Sequence, residues 1–354
     1  MDYSSNVPES TLADLRPALT LRAPARLHLG FLDPGGSLGR RFGSLGLVIG
    51  GFETEVELSA AVSNQVSGSG PAEAAEIDRA IRHLNVLQDR SGEREPLGVR
   101  LVRVLPAHAG FGSGTQLALA IGRAFAHWHG LEVSTPILAQ WLGRGQRSGI
   151  GIAGFDQGGL LVDGGPGAQG APAPILSRIA LPEAWRVLVV QDNTHRGLSG
   201  AAERHVMATL APMAPTQAAE ICHQVLMRVL PGAASAEFAP FAAGITRVQK
   251  LLGEHFAPHQ GGNAYTSAAV GRLVEWVARW SEGGRGPQQG AAAGQSSWGP
   301  TGFVILPSQA QAEAAVHAAR RADVVAASLS LRIVSARNAG ATVIDRRHPA
   351  PSAR

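Results

Sequence analysis

The segment from Leu105 to Phe125, LPAHAGFGSGTQLALAIGRAF, sets three glycines two residues apart and runs straight into a helical stretch. Gly110, Gly112 and Gly114 let a backbone come close to an anion, and a helix that starts there offers unbonded N–H groups and the positive end of its dipole. Ser113 and Thr115 add hydroxyl donors, and Gln116 ends the turn. These residue types suit the binding of a phosphate or diphosphate. The turn is not the lysine-bearing P-loop, because Gln116 stands where that loop needs a base, and it lacks the third glycine of the dinucleotide fingerprint.

Other groups able to do chemistry are dispersed. RAPARLHLGF carries Arg26 and His28, and the loop DPGGSLGRR begins with Asp33. A second glycine-rich segment, GRGQRSGIGIAGFDQGGLLVDGG (143–165), carries Arg144, Ser148 and Asp156. Arg196, Ser199 and Glu203 lie in HRGLSGAAE, and Ser296–Ser297 in GQSSWGP. Asp192 stands alone, whereas the ribose-phosphate loop of ordinary phosphoribosyltransferases uses two adjacent acids. His127 and His129 are two apart on a helix and point to different sides, and Pro258 interrupts the helical spacing of His255 and His259. Neither pair clamps a metal.

The positioning elements follow from periodicity. Residues 19–60 alternate as strands, with LGVRLVRVLP another strand stopped by Pro106. Ile77, Ile81, Leu84 and Leu87 form a helical stripe, as do Leu117, Ile121 and Phe125 after the turn. The second half is mainly helical, with stripes Ile221–Val225–Val229 and Ile245–Val248–Leu252. Strands are expected at EAWRVLVVQ, TGFVILP, SLRIVSA and GATVIDR, and the tail after them is expected to fray. Strands mixed with helices in both halves predict two α+β domains, 1–182 and 183–354.

Composition bounds the function. An apolar content of 45% with 16% charge describes a chain that can bury a sizeable core. The formal charge is only +4, the arginines are scattered and aromatics are 5%, which argues against a nucleic-acid-binding face. Cys222 is the one cysteine, so neither an internal disulfide nor a cysteine zinc site is available. No apolar run approaches a membrane span and the N-terminus has no signal-like core, so the expected compartment is the cytoplasm, with no membrane partner.

Four segments taken together carry a family resemblance: 22–47, 106–124, 143–165 and 294–303, supported by HRGLSGAAE, RVLPG and HQGG. The chain resembles the β-ribofuranosylaminobenzene 5′-phosphate synthases of methanopterin biosynthesis, within the GHMP kinase superfamily. The resemblance implies a GHMP-kinase-like α+β fold, with a ribosomal protein S5 domain 2-like N-terminal domain and a ferredoxin-like C-terminal domain. It implies condensation of phosphoribosyl pyrophosphate with 4-aminobenzoate or 4-hydroxybenzoate to a C-riboside, with loss of carbon dioxide and pyrophosphate. Magnesium and a homodimer are the further expectations. Kinases of the superfamily carry Ser-Gly-x-Asp before a glycine pair; here Ser148-Gly149-Ile150 is followed by Gly151, so the kinase aspartate is missing.

On that resemblance the cradle for pyrophosphate is Gly110–Gln116, with Arg26, Arg144 or Arg196 supplying charge. Asp33, Asp156 and Glu203 are the candidates for magnesium or ribose hydroxyls. His28 and Ser296–Ser297 are expected to orient the benzoate, with Ser148 close by. A GHMP small-molecule kinase and an RNA-binding scaffold are the alternative readings.

Overall fold

The computed structural model describes residues 19–197, 206, 209–283 and 290–347. Ser199 and Glu203, and the tails 1–18 and 348–354, lie outside the described residues. Eleven strands are described: β1 (Leu19–Asp33), β2 (Phe42–Ala60), β3 (Gln65–Gly68), β4 (Leu97–Arg103), β5 (Leu160–Asp163), β6 (Ile175–Ile179), β7 (Arg186–Asp192), β8 (Ala292–Gln295), β9 (Thr301–Leu306), β10 (Leu329–Ser335) and β11 (Thr342–Asp345).

The first sheet runs β11-β1-β2-β4-β3, with β5 pairing β2 and β6 following it. The second has the order β10-β7-β9-β8, every neighbour antiparallel. The last strand crosses back: Leu19–Arg22 pair with Asp345–Thr342, so the C-terminal segment expected in the second domain belongs to the first sheet.

β1 pairs with β2 along almost its whole length, but the register slips twice, between Pro24 and Arg26 and between His28 and Gly30. Bulges bend a strand and re-aim its side chains. The two slips flank Arg26 and His28, which are two apart and therefore share one face of the strand.

The helix Ser113–Trp128 buries Leu117, Ile121 and Phe125, as its stripe requires. The helix Ile77–Ser91 packs beside it through Ala80, His83, Leu84 and Leu87. Its buried face is turned by about one residue from the expected stripe, leaving Ile81 39% exposed while Ala80 is covered. Ile221, Val225 and Val229 are all buried, across a helix Pro215–Gln224 that widens into a π turn at Val225–Val229. The π turn keeps the three side chains on one face through the irregularity.

One apolar core joins the two sheets. Leu27 and Leu29 of β1 and Phe111 of the glycine turn pack in the same cluster as Val248 and Leu252 of the helix Phe238–Phe256, and Phe303 and Ile305 of β9. Each such side chain contributes roughly 1.5–3 kcal/mol on burial. A shared core of this kind opposes the hinge motion that is usual between domains joined by a small polar contact. The groups at the junction are therefore held in fixed relation.

Candidate active site

Gly110 and Gly112 adopt φ of 89° and 75°, a left-handed backbone that favours glycine, and Gly112 is the N-cap of the helix Ser113–Trp128. No side chain caps that helix. The amides of Thr115 and Gln116 both donate to the Gly112 carbonyl at 3.0 Å, which leaves those of Ser113 and Gly114 at the open helix end. Charge stands close by: a Cβ on Gly114 would lie 3.3 Å from Arg144 Nη1, and one on Gly112 3.0 Å from Arg26 Cζ. Arg144 is lowered from the ordinary arginine range by burial first and by Arg79 second, and its Nε is buried without a partner among the described residues. A guanidinium in that setting favours an anion.

The turn is locked to β1 and to the loop between β8 and β9. Arg26 Nη1 donates to the Gly110 carbonyl at 2.9 Å, and the Arg26 amide donates to the Phe111 carbonyl at 3.2 Å. Ser296 Oγ donates to the same Gly110 carbonyl at 2.6 Å and accepts from the His28 amide at 3.0 Å. The Ser297 amide donates to the His28 carbonyl at 3.0 Å, and Ser297 Oγ sits 2.9 Å from His28 Nδ1. Arg26, His28, Ser296, Ser297 and the glycine turn thus form one constellation, assembled from three distant parts of the chain.

His28 is 5% exposed, and its basicity falls well below the usual imidazole range because of burial first, then the positive charges of Arg26 and Arg147. It is neutral near pH 7, and its Nε2 is buried with no partner among the described residues. Arg147 is the member of this group that sequence reasoning missed. Its only signal is a second arginine three residues after Arg144 in a glycine-rich loop, where no periodicity distinguishes one from the other.

Other expected site residues have partners within the fold. The Gln116 side chain turns inward and donates to the Gly151 carbonyl at 3.0 Å, so only its backbone belongs to the turn. Ser148 Oγ donates to Asp163 Oδ2 at 3.0 Å, alongside the amides of Gly149 and Gly165 at 2.8 Å, so it fastens the start of the helix Ile150–Gln157. Asp156, at the far end of that helix, accepts from Thr135 Oγ1 at 2.6 Å, and Thr135 also holds Arg123 at 2.6 Å. Arg123 lies ten residues beyond Ser113, roughly 15 Å along the helix from the turn. Asp33 accepts from the Gly36 and Leu38 amides at 2.8 Å and from Ser37 Oγ at 3.2 Å, which organises its own loop. Arg196 is exposed; its neighbour Gly197 donates to the His108 carbonyl at 3.0 Å, beside the turn.

Magnesium has no evident protein-held place among the described residues. No group of three histidine, cysteine or acidic side chains suits a metal there, and the carboxylates of Asp33 and Asp156 already accept the hydrogen bonds described above. Glu203, the third acid expected to serve magnesium, lies outside the described residues.

The GHMP kinases N terminal domain family matches residues 77–161. The β-ribofuranosylphenol 5′-phosphate synthase of Archaeoglobus fulgidus is 32% identical over 305 residues, covering 82% of this chain and 89% of that protein. The protein of the same name from Methanothermobacter thermautotrophicus is 28% identical over 254 residues, 65% and 75% of the two chains. Among solved structures, homoserine kinase from Cytophaga hutchinsonii superposes with a TM-score of 0.62 at 14% identity, over 93% of this chain and 98% of its own. Mevalonate diphosphate decarboxylase from Staphylococcus aureus gives 0.63 at 12% identity, over 92% and 97%. These two likenesses are of fold alone.

Proposed function

Because the chain belongs to the β-ribofuranosylphenol 5′-phosphate synthase family, we propose that this enzyme transfers the phosphoribosyl group of phosphoribosyl pyrophosphate to the ring of 4-hydroxybenzoate or 4-aminobenzoate. The products are the aryl C-riboside 5′-phosphate, carbon dioxide and pyrophosphate. The observation that carries the reading is the open glycine turn, with Arg144 against Gly114 on one side and, on the other, the His28–Ser297 pair tied through Ser296 to its Gly110 carbonyl.

In this reading the diphosphate lies on the amides of Ser113 and Gly114 and takes charge from Arg26 and Arg144. As the C1–O bond breaks, its electron pair leaves on pyrophosphate, and preorganised donors stabilise that charge without reorganising. The ring carbon bearing the carboxylate donates a π pair to C1, and the para oxygen or nitrogen feeds electrons to it. Loss of carbon dioxide returns the C–C pair to the ring and restores aromaticity. No protein base is needed at that carbon. A neutral His28, held by Ser297, orients the acceptor rather than protonating the carboxylate, since positioning is what the step requires.

Position 151 supports transfer to carbon over transfer to a hydroxyl. A Cβ there would lie 3.2 Å from Thr115 Cγ2, against the turn where a kinase carries its aspartate, and Gly151 supplies no base. Mass analysis of a reaction with phosphoribosyl pyrophosphate, magnesium and each acid tests the proposal. An arylriboside phosphate is expected; ADP and a phosphorylated hydroxyl compound, in a parallel tube with ATP, would instead mark a kinase.

A further inference from the structure

A cavity of about 350 Å³ lies between the helix Phe238–Phe256, the helix Ala268–Glu282 and β8, and Ser297 lines it. Its volume is at the low end for ligand sites, a size for one aromatic ring rather than a nucleotide. The walls include Leu252, Phe256, Tyr265 and Ala293. Burial, with Glu275 nearby, pushes the Tyr265 phenol upward, so it stays neutral.

The polar groups of the wall are mostly committed to one another. Gln249 Nε2 donates to the Leu29 carbonyl at 2.5 Å, and its Oε1 accepts the Gln295 amide at 2.8 Å. Gln295 Nε2 donates to Gln260 Oε1 at 3.0 Å and its Oε1 accepts the Thr266 amide at 2.6 Å. These amides hold the wall and tie it to β1 beside His28. Lys250, the chain's only lysine, is the one cation on the lining, and none of the described ion pairs uses it. Glu254 and Glu275 also line the cavity and are exposed.

Helix and strand run side by side, with Thr246 bonded to Ala291 and Ala293, Gln249 to Gln295, and the Phe256 ring tilted against that of Trp298 at 4.6 Å. Ser297 therefore marks the end nearest the glycine turn, and Lys250 lies toward the other end. From Phe256 back to Lys250 is six residues, roughly 9 Å of helix, comparable to the length of a para-substituted benzoate.

We infer that this cavity is the acceptor site, with the reacting carbon at Ser297 and the para substituent directed to Lys250, which sets the preference for oxygen over nitrogen there. The inference rests on the synthase reading above. An ammonium favours the phenolate, whose proton passes to solvent and which drives electrons into the ring more strongly than the neutral phenol. An anilinic nitrogen carries no such charge and gains little from it.

Lys250→Met keeps the apolar stem at an exposed position, so the fold is expected to stand; a melting curve with Lys250→Arg as companion checks it. At saturating phosphoribosyl pyrophosphate, kcat/KM for 4-hydroxybenzoate is expected to fall about tenfold or more and that for 4-aminobenzoate less than about threefold. The KM for the donor should not change, and Lys250→Arg should restore most of the preference. An equal fall with both acids, or no fall, in an otherwise active enzyme overturns the inference alone. A wild-type protein that turns over neither acid overturns the synthase reading and this inference with it.

Discussion

Ser297 Oγ lies 2.9 Å from His28 Nδ1, a contact between residues 269 positions apart in sequence. It joins the β8–β9 loop of the second sheet to β1 of the first. Both residues also touch through backbone, the Ser297 amide donating to the His28 carbonyl, so removing the hydroxyl leaves the loop in place.

Ser297→Ala is therefore expected to cost only about 1 kcal/mol of stability, yet to free the imidazole and lower turnover about tenfold to a hundredfold. His28→Asn should do the same, and the double variant should be little worse than either single one. A double-mutant cycle on kcat/KM checks this. Fully additive losses would mean that the two side chains act independently.

Two buried histidines give the fold a pH dependence. His83 is pulled down to about 4 by burial first and then by Arg144, Arg79 and Arg82, and His28 lies well below 6.5. Between these values and 6.5 the unfolded chain binds protons that the folded chain refuses. Stability is thus complete above about pH 6.5 and is lost as pH falls toward 4, by up to about 3 kcal/mol for His83 alone. Urea unfolding at about pH 7.5, 6 and 5 should show the decline, and His83→Gln should flatten it. An equally steep decline in that variant would assign the effect to other groups.

The glycines of the turn separate folding from binding. Gly112→Ala forces a side chain into left-handed backbone and against Arg26, at an expected cost of about 1–2 kcal/mol. Gly114→Val meets only the end of Arg144, so the protein should fold while its KM for phosphoribosyl pyrophosphate rises about tenfold or more. A folded Gly114→Val enzyme with unchanged donor affinity would remove the helix end from the site.

Asp163, rather than the expected site residue Asp156, is the acid on which the fold depends. Asp163 is fully buried and accepts from two amides and the Ser148 hydroxyl, so Asp163→Asn places an N–H where only acceptors serve. A loss of about 1–3 kcal/mol is expected. Asp156→Asn should change stability by about 1 kcal/mol or less and leave turnover near wild type. Chemical denaturation and initial rates on both variants decide it.

How much was legible from sequence differs between the turn and what surrounds it. The turn, its helix and the strand periodicities are local: glycine spacing and apolar stripes encode them directly. Arg26 and His28 announce only a shared strand face, and their union with Ser296 and Ser297 depends on two sheets packing through Leu27, Phe111 and Phe303. No local pattern records such a contact. Asp33, Asp156 and Ser148 are ambiguous for the opposite reason. A carboxylate or hydroxyl in a glycine-rich loop satisfies backbone donors as readily as it binds a ligand, and only the partners tell the two apart. The return of β11 to β1 was equally hidden, because an alternating strand carries no mark of the sheet it joins.

The central claim is that one site couples cleavage of the ribosyl–diphosphate bond to decarboxylation of an aromatic acid. The most direct measurement uses 4-hydroxybenzoate or 4-aminobenzoate labelled in the carboxyl group, incubated with the wild-type protein and magnesium, with and without phosphoribosyl pyrophosphate. Labelled carbon dioxide is expected only when the donor is present, with one pyrophosphate formed for each carbon dioxide, and ATP should not replace the donor. Label retained in both acids while ATP is converted to ADP at a rate ordinary for a kinase would contradict the account.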